Sequence, residues 1–146
     1  MWLTVMKALQ EHLAKAKIAD EVRLGGYNVK DIRPELNGKG LIFILRNNER
    51  PIDPNNLVND TEINLSIHCW LVEDVGADIL KRYEAINALE KKVIRALDQY
   101  RDSVLNITDE IQLINLTVTD VAGDGDSNHP LIGCGISVTI VAYERS

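Results

Sequence analysis

The stretch INLSIHCWLVEDVGADILKRYEAINALEKKVIRALDQ, residues 63–99, changes its apolar period once, and that change sets the fold class. Ile63, Leu65, Ile67, Cys69 and Leu71 alternate with Asn64, Ser66, His68, Trp70 and Val72. Strict alternation marks a strand with one face in the core and a different face opposite. It predicts a strand from Thr61 to Glu73. Beyond it, Ile79, Tyr83, Ile86, Leu89, Val93, Leu97 and Tyr100 step by three or four residues. That spacing predicts a one-sided helix from Gly76 to about Tyr100, with Asp74 as its N-cap. The helix stripe is expected to pack on the odd-numbered face of the strand.

The flanks extend the pattern. Trp2, Val5, Met6, Leu9, Leu13 and Ala16 predict a first helix from about Trp2 to Lys17. Gly25, Gly26 and Pro34 punctuate an extended segment, Val22 to Asp31. Gly40 to Arg46 reads as a strand apolar on both faces, which suggests that both are covered. The Asn- and Asp-rich stretch Asn47–Asp60, with Pro51 and Pro54, reads as a polar loop. Alternation returns in Ile111–Val121 and Ile132–Tyr143, separated by the polar loop Gly123–Pro130. Ile114, Leu116 and Val118 form one face of the former strand. Strands grouped around one long helix give an α+β class. The expectation is a single domain over residues 1–146, a mostly antiparallel sheet with an N-terminal helix and one long helix packed on one face.

The net charge of −6 argues against wrapping nucleic acid and against a polybasic membrane patch. No apolar run approaches the roughly 20 residues of a spanning helix, and the N-terminus lacks a signal-peptide pattern. A soluble intracellular protein is expected. Aromatics are 5% of the chain, so Ile, Leu and Val must fill the core. Cys69 and Cys134 each sit in an alternating apolar segment and read as buried, reduced thiols.

Catalytic motifs are not found: there is no G-x-S-x-G, P-loop, G-x-G-x-x-G, C-x-x-C or H-E-x-x-H. Asp124, Asp126 and Asn128 begin like a calcium loop, but His129 and Gly135 stand where that loop needs Gly and Glu. His68, Cys69, His129 and Cys134 make a poor zinc set, because adjacent strand residues point to opposite faces. Glu73 and Asp74 read as helix-start carboxylates rather than a catalytic dyad, and His12 as a boundary residue of the first helix. The expectation is no catalytic residue, no metal and no cofactor.

In order, the chain has VMKALQEHLAKA, the strand GLIFILRNN, a long polar loop, the strand-to-helix junction quoted above, and the strands IQLINLTVTDV and GISVTIVAYE. This succession resembles the tail terminator, or tail completion, proteins of long-tailed bacteriophages and related contractile tail machines. The resemblance covers most of the chain and rests on element order, length and apolar pattern, not on motif residues. It implies a structural virion protein, or one of a prophage tail-like particle. Such a protein forms a ring, commonly a hexamer, that caps the tail tube, ends its polymerisation and meets the head connector. Its partners would be itself, the tail tube protein and head–tail connector proteins, with no membrane and no sequence-specific nucleic acid. Its place would be the virion tail or neck, after assembly in the host cytoplasm. A neck or head–tail connector subunit, a monomeric adaptor, and a small enzyme or ligand-binding protein with a pocket near His68 and Trp70 are the alternatives.

A ring subunit needs surface beyond its own core. Trp70 and Val72, extended by Ile42 and Ile44, are the candidate interface patch; the other reading is that they lie under a loop of the same chain. Asn47, Asn48, Asn55 and Asn56 of the first polar loop, and Asp124, Asp126, Asn128 and His129 of the second, are the candidate contacts to tube or connector. Both loops are expected to be mobile until assembly.

Overall fold

A computed structural model describes residues 1–52, 60–72 and 78–145. The chain runs through helix α1 (Trp2–Lys15), strand β1 (Glu21–Leu24), a 3-10 turn (Val29–Asp31) and the long strands β2 (Leu41–Pro51) and β3 (Asp60–Val72). Helix α2 (Ile79–Ser103), β4 (Ile111–Gly123) and β5 (Leu131–Glu144) complete it. The strands form one five-stranded sheet in the order β1-β2-β3-β5-β4. Among the described strands only the β1–β2 pairing is parallel. Both helices lie on the same face, α1 over β1 and β2, and α2 over β3, β5 and β4. This is the expected α+β arrangement.

The core is built where the two apolar periods meet. Ile63, Leu65, Ile67 and Cys69 of β3 are fully buried, and directly opposite them on β5 stand Ile140, Val138, Ile136 and Cys134. Ile86, Leu89, Val93, Ala96, Leu97 and Tyr100 of α2 close over them, joined by Val5, Met6, Leu9 and Leu13 of α1. The His12 ring bonds the Ala96 carbonyl at 2.6 Å, tying the two helices together. Gly40 opens β2 at φ +98°, where a Cβ would stand 2.7 Å from the Trp70 carbonyl. Only glycine suits that turn. The Asp20 carboxylate accepts from the amides of Lys39 and Gly40 at 3.0 and 3.3 Å beside it.

Several boundaries differ from expectation. Asp78, not Asp74, caps α2: its side chain accepts from the Lys81 amide at 2.9 Å. Asp74 and Gly76 lie outside the described residues. Ile79 and Tyr83 continue the helical period but are exposed, because α2 starts beyond the sheet's cover. Helix α1 ends at Lys15, and Lys17 takes a left-handed φ of 54°. Strand β2 continues to Pro51, so Asn47 and Asn48 are strand residues rather than loop residues; Asn55 and Asn56 lie outside the described residues. A register shift between Leu113 and Asn115 exposes Ile114 and puts Ile111, Leu113 and Leu116 in the core.

Ile42 and Ile44 do not share the Trp70 face. They pair with Cys69 and Ile67 and are fully buried under the helices. Residues directly opposite on neighbouring strands share a face, so Leu41 and Phe43, opposite Trp70 and His68, occupy the other side.

Candidate functional site

The sheet face away from the helices is half covered by the chain itself. The segment between β1 and β2 crosses β2 and β3 and lays down a second, smaller core of Ile32, Leu41, Phe43 and Trp70, with Tyr27, Val29, Leu45 and Leu131 packed against it. Tyr27 is its centre. Its ring stacks on Phe43 with centroids 4.2 Å apart. Its hydroxyl accepts from the Trp70 indole at 2.6 Å and bonds His68 Nδ1 at 2.7 Å. The hydroxyl and Nδ1 share one proton in this bond, and the indole N–H fills another site on the same oxygen. Burial lowers the His68 pKa and raises that of Tyr27, both in the sense that keeps this chain of bonds uncharged.

Trp70 is therefore only 5% exposed, under Tyr27 of its own chain. Val72, two residues on, stays half-buried and opens into a groove of about 820 Å³. One wall is the segment Tyr27–Pro34 and the other is Ser127–Leu131 of the β4–β5 turn. The fold thus gathers Val72, Asn128 and His129, three of the residues singled out by sequence, beside the apolar Val29, Ile32, Pro130 and Leu131. Among the described residues of its lining, Lys30 and Arg33 are the cations and there is no carboxylate. Arg33 Nη1 donates to the Ile32 carbonyl at 2.8 Å and also to that of Lys30, which shapes the wall. Among the described residues neither Lys30 nor Arg33 forms an ion pair. The groove offers an apolar floor with Lys30 and Arg33 at its rim.

The remaining candidates lie elsewhere. Asp124 and Asp126 turn to the helix side: Tyr83 donates its hydroxyl proton to Asp126, and the Asp126 amide donates to Asp124 at 3.1 Å. Asn47 donates to the Ser66 hydroxyl at 2.8 Å on the β2–β3 arm, where Asn48 follows it. Cys69 and Cys134 face each other in the core, so the four-residue zinc set is split between core, groove and Tyr27. No helix among the described residues is long and apolar enough to cross a membrane. Sequence reading missed Tyr27, Lys30 and Arg33. Their one signal was the apolar spacing of Tyr27, Val29 and Ile32 inside an extended segment.

No protein-family model and no curated protein matches the chain. Solved structures do. A chain of the virion of a native gene transfer agent particle superposes with a TM-score of 0.52 at 11% identity, over 92% of this chain and 84% of that one. The two chains share a fold. The sheath/tube terminator of the PVC extracellular contractile injection system, in its extended state, matches over the whole chain with a TM-score of 0.51 at 12% identity. This chain spans 57% of that longer protein.

Proposed function

We propose that this protein is a tail terminator of a phage-like particle, a structural component and not an enzyme. The observation that carries the reading is the likeness of fold, over nine-tenths or more of the chain, to a gene transfer agent virion component and to a sheath/tube terminator. The order of elements in the sequence pointed to the same machinery independently. In this reading copies of the chain form a ring, six in number, on the last ring of the tail tube. The ring ends tube polymerisation and offers its other side to the head connector. The groove between the Tyr27–Pro34 segment and the Ser127–Leu131 turn is the contact surface, and Asn47 and Asn48 on β2, with Asn55 and Asn56 later in the sequence, are candidate contacts to the tube.

The test is genetic and structural together. Particles assembled without the protein should carry tails of irregular, excess length, and supplying the chain should restore uniform tails. Uniform tails that fail to join heads, in its absence, would instead make it a neck subunit. Normal, infectious or transfer-competent particles without the protein would end the proposal.

A further inference from the structure

We propose that the groove receives the first two turns of α2 from a second copy of this chain, with Leu80 entering between the two walls; this rests on the ring reading above. The start of α2 carries a cluster of exposed apolar side chains. Ile79 and Tyr83 are 47% and 46% exposed although they continue the stripe that is buried further along the helix, and Leu80, off that stripe beside them, is 62% exposed. Contiguous apolar surface of this kind marks a contact.

Position favours a second copy as the occupant. The groove sits at the end of the sheet where β3 finishes and β5 begins, on the face without helices. The start of α2 is at the same end on the opposite face, tied by Tyr83 and Asp126 to the β4–β5 turn whose later residues form a groove wall. Two different patches at one height on opposite faces join head to tail. Such a heterologous contact repeats from copy to copy and closes into a ring when the rotation between copies closes.

Charge favours it as well. Among the described residues the groove lining has Lys30 and Arg33 and no carboxylate, in a chain of net charge −6. At the start of α2, exposed Asp78 and Glu84 outnumber the exposed cation there, Lys81, since Arg82 is buried with Nη2 3.4 Å from the Leu131 carbonyl. Glu84 stands one turn after Leu80 on the same side of the helix, placed to meet a cation on the rim of the groove that Leu80 enters.

The experiment uses particles assembled with a Lys30→Cys, Glu84→Cys double variant. Both positions are exposed and outside the core, and the native Cys69 and Cys134 are buried. Oxidation of the purified particles should give a ladder of covalently linked copies ending at the ring, and either single variant should give none. In a companion pair, Lys30→Glu and Glu84→Lys should each abolish tail termination, and the two together should restore it. Variants that assemble normally, show no ladder and tolerate both charge changes would overturn the docking while leaving the terminator reading intact. Particles that lack the protein altogether, with tails indifferent to its presence, would overturn both.

Discussion

The Trp70 ring occupies the space that a side chain on Gly133 would take. The two residues are directly opposite on β3 and β5, and a Cβ at position 133 would stand 2.5 Å from the indole. Glycine on β5 is thus what lets a tryptophan fold down onto the sheet and reach Tyr27. Gly133→Ala should push the indole away, break the bond to Tyr27 and destabilise the fold by about 1–3 kcal/mol, the usual cost of overpacking. Denaturant unfolding followed by tryptophan fluorescence checks this, and a shifted native emission should accompany the loss. Wild-type stability and an unshifted spectrum would count against the packing described.

The long helix offers a graded test of what burial contributes. Ile86 and Leu89 face the sheet, at 7% and 4% exposure, whereas Leu80 is mostly in solvent in the single subunit. Truncating either of the first two to Ala should cost about 2–5 kcal/mol, from lost transfer energy and the cavity left behind. Leu80→Ala should cost under about 0.5 kcal/mol in the isolated chain. A large stability loss at Leu80 in a monomer would mean that α2 starts against something other than solvent. Removing the cap with Asp78→Ala should cost about 1 kcal/mol, because the Lys81 amide then loses its acceptor.

What the sequence disclosed depended on whether a residue's environment is set locally. In β3 polar and apolar residues alternate, so both faces could be assigned from the residues alone, and the helix that covers the odd face followed from its own period. In β2 Leu41, Ile42, Phe43 and Ile44 are all apolar because both faces are buried. Parity is then silent, and only the pairing of Ile42 with Cys69 shows which side it takes. Asn47 and Asn48 read as loop because a solvated hairpin arm needs no apolar residue to stay paired. The groove was the least legible part. Its walls come from residues 27–34 and 127–131, nearly a hundred positions apart, and Tyr27 shows its role only once it lies over Phe43 with its hydroxyl on the Trp70 indole N–H.

Stability should respond to acid through His68. Burial lowers its pKa in the folded chain below the ordinary value of about 6.5, and its Nδ1 is hydrogen-bonded to the Tyr27 hydroxyl. The unfolded chain then takes up the proton first. The contribution to stability is complete above about pH 6.5 and is lost as pH falls from there through the lowered folded value. Melting temperatures compared at pH 7.5 and pH 5.5 should fall more for the wild type than for His68→Asn, whose amide oxygen can still accept from Tyr27. Equal falls for both proteins would show that this imidazole is not a stability-linked site.

The two cysteines should be silent in the folded protein despite facing each other. Cys69 and Cys134 occupy opposite positions on β3 and β5, both unbridged and buried in the main core. The hydrogen bond with Cys134 and then burial hold the Cys69 thiol well above its ordinary pKa, so almost none of it is thiolate at neutral pH. Thiolate is the reactive form, and access requires parting two inner strands of the sheet. Labelling by a thiol reagent should therefore proceed through global unfolding, with both thiols reacting together and the rate rising with denaturant along the unfolding curve. A mass spectrum taken during labelling distinguishes this from local opening, since only unlabelled and doubly labelled species should appear. Rapid single labelling of the native protein would place one thiol outside the core.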